Sequence, residues 1–192
     1  MLLLAGRAAH LASLEEDALA AYRAAKALAG NEETRRLAIW GEIGAAIDLE
    51  LPTAEKLLAD AEAECDTLAD VINHALQSLM LESRRGAIRS LKRAEALEKS
   101  SRRIHDPLLR CSFLSVLGSV LAVAGEYDDV LRVTESLLDE ARKHRLDFAV
   151  PYALSIRGIG RSGKRNPAGA LRDAYDGLAA ARIQQDKHAT LN

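Results

Sequence analysis

Apolar and small residues recur along this chain at helical spacing, three or four positions apart. The clearest stretch runs from Gly118 through Gly125 to Leu131. An apolar helical run stops at Gly125 and a short turn follows. Asp128 then stands near the start of a second helix, where an acidic side chain offsets the unpaired backbone N–H groups. That second helix is predicted to run to about His144, with Leu131, Leu137 and Leu138 among its apolar positions. Related marks appear elsewhere: Gly6 with Ala18, Tyr22 and Ala25; Gly41, beside Trp40, with Ala54, Leu58 and Ala61; Ala75 with Ala87, Leu91 and Ala94; Gly158 with Ala170, Ala174 and Gly177. Small residues at such positions let antiparallel helices approach closely. The first marks lie about 34 to 43 residues apart, which predicts five helix pairs.

Local signals mark several helix ends. Pro52 and Pro167 suit the first turn of a helix, where a missing N–H costs nothing. Ser13 and Glu16 have the spacing of a capping box. Gly30-Asn31 and Gly125 read as helix stops. Gly41 is expected at a close helix contact inside the second pair. No strand-like alternation and no long linker interrupts the pattern, so the expected fold is all-α and forms a single repeat domain over 1–192. The chain opens inside a first helix and closes at Gln184–Asn192 on what reads as the loop into a further repeat, as expected of a fragment cut at both ends.

Composition agrees with a helical reading. Of the 192 residues 48% are hydrophobic but only 4% aromatic, and Ala and Leu supply roughly a third. The net charge of −2 conceals an asymmetry. Residues 1–70 hold 6 basic and 14 acidic side chains, net −8, whereas residues 71–192 hold 20 basic and 14 acidic, net +6. Cys65 and Cys111 fit no ligand or disulfide spacing and read as reduced cytoplasmic thiols. The longest uncharged stretch, Cys111–Gly125, has 15 residues, shorter than a typical membrane span of about 20 residues.

The marks Gly118…Gly125-x-Tyr127 and Gly158…Ala170-Leu171-x-x-Ala174-Tyr175-x-Gly177 resemble the tetratricopeptide repeat (TPR). The match is degenerate: Val130 and Leu137 replace small residues, and the third unit lacks a glycine at its first mark. Three stretches resemble the helical-repeat region of large LuxR-type bacterial transcriptional regulators that carry an ATPase domain: Leu37–Gly41, Gly125–Val133 and Ala141–Leu154. The resemblance implies a right-handed α-α superhelix of about five stacked pairs. It also implies that a nucleotide-binding domain precedes such a segment and a helix-turn-helix domain follows it. In the repeat family, ligands lie in a concave groove lined by first helices. The matching positions here are Arg35, Glu42, Ser112, Ser115, Ser119, Tyr152 and Ser155. The implied partner is a protein, a peptide or a small effector held in that groove. A stand-alone scaffold that docks peptide segments is the alternative.

Motifs for chemistry are weak. Gly158-x-Gly160-x-x-Gly163-Lys164 imitates a phosphate-binding loop, but Arg165 stands where Ser or Thr would hold Mg²⁺, and no strands support it. His10, His74, His105, His144 and His188 form no metal-ligand spacing. No catalytic constellation stands out, so neither an enzyme, a cofactor nor a metal is expected. Arg85, Arg89 and Lys92 are expected to form one basic helical stripe. Glu95 and Glu98 interrupt the surrounding basic run and no aromatic residues interleave, so this segment is not expected to bind nucleic acid directly.

Overall fold

A computed structural model describes residues 1–86 and 88–184. Ala87, a mark of the third expected pair, and residues 185–192, with His188, lie outside them. The described residues form ten α-helices and no strand: α1 (Leu2–Leu11), α2 (Glu15–Ala27), α3 (Glu32–Asp48), α4 (Ala54–Glu62), α5 (Leu68–Arg84), α6 (Leu91–Ser101), α7 (Pro107–Ala124), α8 (Tyr127–His144), α9 (Ala149–Gly163) and α10 (Pro167–Gln184). The all-α expectation holds. The chain divides into two compact units, Met1–Leu81 and Glu82–Asn192. Four of the five expected pairs fall wholly inside a unit: α1/α2 and α3/α4 in the first, α7/α8 and α9/α10 in the second.

The first unit is built on α3. Trp40, Ile43, Ala46 and Ile47 pack with Ala54, Leu58 and Ala61 of α4. Ala18, Leu19 and Tyr22 of α2 pack with Ala45. The Tyr22 ring fits between two glycines, because a Cβ on Gly6 of α1 would lie 2.8 Å from it and one on Gly41 of α3 would overlap it. Gly41 is therefore a close contact, as expected, but its partner belongs to the preceding pair. In the second unit Phe113, Leu114, Leu117 and Leu121 of α7 are fully buried with Val130, Leu137 and Leu138 of α8. Gly163 of α9 meets the ring of Tyr127 as Gly41 meets Tyr22, and Gly118 of α7 faces Ile156 of α9. Helix α7 is long and apolar enough to cross a membrane by length and composition. Here it packs against α8 and α9 as a core helix.

Helix ends follow a repeated device. After α1, α3, α7, α8 and α9 the chain passes through a left-handed residue: Ser13, Glu50, Gly125, Arg145 and Arg165. The next N–H then bonds back five residues, as in Leu14 to Ala9, Leu51 to Ala46 and Leu146 to Ala141. Ser13 thus closes α1 and does not form the expected capping box; Leu14 is the N-cap of α2 and offers no side-chain bond. Pro52 lies in the turn before α4, whereas Pro167 begins α10 as expected. Asn31 starts α3 by accepting from Thr34 N–H, so Gly30-Asn31 leads into a helix more than it stops one. Two start signals lie outside these expectations. Asp106 caps α7, with Pro107 as its first residue. Thr67 and Asp70 form a reciprocal capping box on α5.

Candidate functional site

The seven groove positions fall into two groups. Arg35 and Glu42 lie on α3 in the first unit, and the five hydroxyls lie on α7 and α9 in the second.

Arg35 grips Glu32 through two nitrogens, at 2.9 and 2.8 Å, and reaches Glu64 beyond α4 at 2.8 Å. Glu42 is only 5% exposed. Its carboxylate accepts from Arg23 and Lys26 of α2, so it locks α2 to α3 and is not presented to a ligand. The same arrangement recurs throughout the molecule. Asp70 accepts from Trp40, Glu98 from Arg132, Glu140 from Arg110, and Asp173 from Arg157 and Arg161. Each buried carboxylate is matched by a donor from another helix, as burial of a charge requires. The pairing with Asp173 raises Arg157 above its usual pKa.

Ser112, Ser115 and Ser119 fall at i, i+3 and i+7 on one face of α7, and Tyr152 and Ser155 at i and i+3 on α9. Helices α7 and α9 pack directly, and the Gly118–Ile156 contact brings them close at the level of Ser119 and Ser155. Ser119 and Ser155 are exposed, while Ser112, Ser115 and Tyr152 are half-buried. Ser119 donates to the Ser115 carbonyl at 3.0 Å, leaving its oxygen able to accept. Ser112, Ser115 and Ser119 thus give α7 a row of hydroxyls and Tyr152 with Ser155 a second pair on α9, while the charged residues of these helices, Arg110, Arg157 and Arg161, are paired with Glu140 and Asp173.

The glycine run of the apparent phosphate loop is helical. Gly158, Gly160 and Gly163 all lie within α9. Gly160 and Gly163 give room to Val130 and Tyr127 of α8. Lys164 follows the helix and pairs with Asp128 at 2.8 Å. The glycines serve helix packing, and this segment forms no loop to cradle a phosphate.

The expected basic helical stripe does not form. Arg85 stands in the turn after α5, Gly86 adopts φ +70°, Arg89 precedes α6, and Lys92 lies inside it. The left-handed glycine breaks the helix that the i, i+4, i+7 spacing would need. All three side chains are exposed, and Lys92 pairs with Glu95 at 3.1 Å.

Cys111 is buried, and burial with the nearby Glu140 carboxylate pushes its thiol up to about 11. It stays protonated at neutral pH and is no nucleophile. One cluster lies outside the sequence expectations. His10, Glu15 and Asp48 meet at the adjoining ends of α1, α2 and α3. No short spacing signals it, because Asp48 is brought in by the fold. Comparison with known proteins brings no match: no family model fits the chain, and no curated protein or solved structure is similar to it.

Proposed function

We propose that this chain is the effector- or partner-binding segment of a LuxR-type bacterial transcriptional regulator, acting in the cytoplasm and without catalysis of its own. The hydroxyl face formed by Ser112, Ser115 and Ser119 of α7 with Tyr152 and Ser155 of α9 is the observation that carries this reading. Hydroxyls both donate and accept, and they orient a ligand with little desolvation cost compared with charged groups. The stretches Leu37–Gly41, Gly125–Val133 and Ala141–Leu154, which resemble the repeat region of such regulators, supply the link to transcription. In this mechanism a ligand spans α7 and α9, favours one packing of these helices, and passes that preference to nucleotide- and DNA-binding domains of the same regulator.

The test is calorimetric titration of the chain with a panel of peptides and small metabolites. The expected result is saturable binding that is lost in Ser119→Glu and in Ser155→Glu, two exposed positions whose change leaves the helical spectrum intact. Binding that is indifferent to both substitutions overturns the assignment of the face. Turnover of any bound compound overturns the non-catalytic reading.

A further inference from the structure

His10 stands in the last turn of α1, between carboxylates from two other helices. Its Nδ1 is 3.7 Å from Glu15 Oε2 in the first turn of α2, and its Nε2 is 3.3 Å from Asp48 Oδ2 at the end of α3. All three side chains are half-buried. The Cε1 edge of the ring lies over Gly44, 3.3 Å from where a Cβ would be, and Gln77 of α5 reaches the same point. The charged and titratable groups at this end are Arg7 one turn earlier on α1, Glu15, Glu16 and Asp17 on α2, and Asp48 with the following Glu50. On α5 they are His74, one turn before the neutral Gln77.

The three donor atoms lie within 4.8 Å of one another, close enough to suggest a metal. An ion takes one nitrogen of an imidazole, however, and here the nearest carboxylates approach opposite nitrogens. Two protons fit better than one ion. A charged imidazolium gives its Nε2–H to Asp48 at 3.3 Å and turns its Nδ1–H toward Glu15, which at 3.7 Å it attracts by charge; a neutral ring loses that charge and turns a lone pair toward one of the two carboxylates.

We propose that His10 is a proton-dependent clasp that holds α1 onto α2 and α3, closed when the imidazole is charged and loosened when it is neutral. Loosening α1 withdraws Gly6 from Tyr22 and uncovers one side of that ring. The environment sets the working range. Hydrogen bonding to Asp48 raises the His10 pKa, burial opposes it, and the charges of Glu15 and Asp48 add to the rise, leaving it above the usual 6.5. A folded-state value above the unfolded one gives stabilisation that is complete below pH 6.5 and fades as pH climbs through the folded value. The clasp therefore opens toward alkaline pH.

Hydrogen exchange of the full chain, corrected for the intrinsic pH dependence of the rate, tests this. Between pH 6 and pH 8.5 the protection of α1 amides should fall several-fold while α9 amides hold theirs. In His10→Gln, α1 protection should be low at both pH values, and in Asp48→Asn the pH response should shrink. An α1 protection that ignores pH in the natural chain, or a His10→Gln variant that keeps the response, overturns the clasp. Stabilisation by equimolar Zn²⁺ that vanishes in His10→Gln also overturns it, in favour of a metal site. Should both variants fail to fold, the His10 Cε1–H resonance of the natural chain decides: a midpoint above 6.5 supports the clasp, and one at or below 6.5 refutes it.

Discussion

Trp40 donates its indole N–H to Asp70 Oδ1 at 3.0 Å, and the other oxygen of the same carboxylate accepts the backbone N–H of Thr67 at 3.0 Å and its hydroxyl at 2.6 Å. One buried side chain thus ends the search for two helices: it fixes the start of α5 and anchors the one tryptophan of the chain on α3. Asp70→Ala removes a cap and strands a buried donor. The expected loss is about 2–4 kcal/mol, from roughly 1 for the cap and about 1–3 for the orphaned indole N–H. Trp40→Phe removes the donor but keeps the cap, so the double variant should lose less than the two singles combined. Denaturant melts read by circular dichroism check this; strict additivity means the two residues do not act together.

The Tyr22 ring and Gly41 give a second measurement. Gly41→Ala places a methyl into the ring, whose room to shift is limited because Gly6 also stands close to it. The expected cost is about 1–3 kcal/mol. Gly30→Ala is the control, since a Cβ there meets nothing within 4 Å. It should be neutral or gain about 0.4–1 kcal/mol through the unfolded state. Equal effects at the two glycines would mean that Tyr22 does not pack there.

Arg165 closes α9 at φ 59°, a left-handed conformation that costs an L-residue roughly 1 kcal/mol or more. Arg165→Gly should therefore stabilise the chain, by about 0.5–1 kcal/mol after glycine's greater unfolded-state entropy is counted. A loss of stability would show that the arginine side chain contributes more than its backbone costs.

Much of the architecture was legible because it rests on helical periodicity. Gly118, Gly125 and the apolar face to Leu138 placed α7 and α8 with an accurate end at His144. Helix ends were less legible, for a chemical reason. Of the six left-handed residues that follow helices among the described residues only Gly86 and Gly125 are glycines, and Ser13, Glu50, Arg145 and Arg165 carry no sequence mark of their conformation. Ser13 even imitated a cap for the next helix. Candidate site residues divided similarly. The serine stripe on α7 follows from spacing alone, but Glu42 looked like a groove residue because nothing local reveals that Arg23 and Lys26 consume it. His10 needed the fold to bring Asp48 to it. The apparent stripe of Arg85, Arg89 and Lys92 failed because Gly86 takes a left-handed turn within it.

That broken stripe shapes the last expectation. A recognition helix needs its base-reading side chains on one continuous rod. Here Arg85 and Arg89 sit outside helices on either side of Gly86, and only Lys92 belongs to α6. Eight cations still cluster between Arg84 and Arg103, enough to meet phosphates without reading bases. The chain should therefore bind duplex DNA weakly or not at all, and any binding should be without sequence preference, with a dissociation constant on the order of 10⁻⁴ to 10⁻⁶ M that weakens steeply with added salt. Where such residual binding is measurable, Arg85→Ala with Arg89→Ala should weaken all sequences alike and reduce the salt slope by about two. A mobility-shift titration with competitor DNA makes the measurement. Sequence-specific binding that survives competitor and disappears in the double variant would move the function onto this segment and away from the hydroxyl face of α7 and α9.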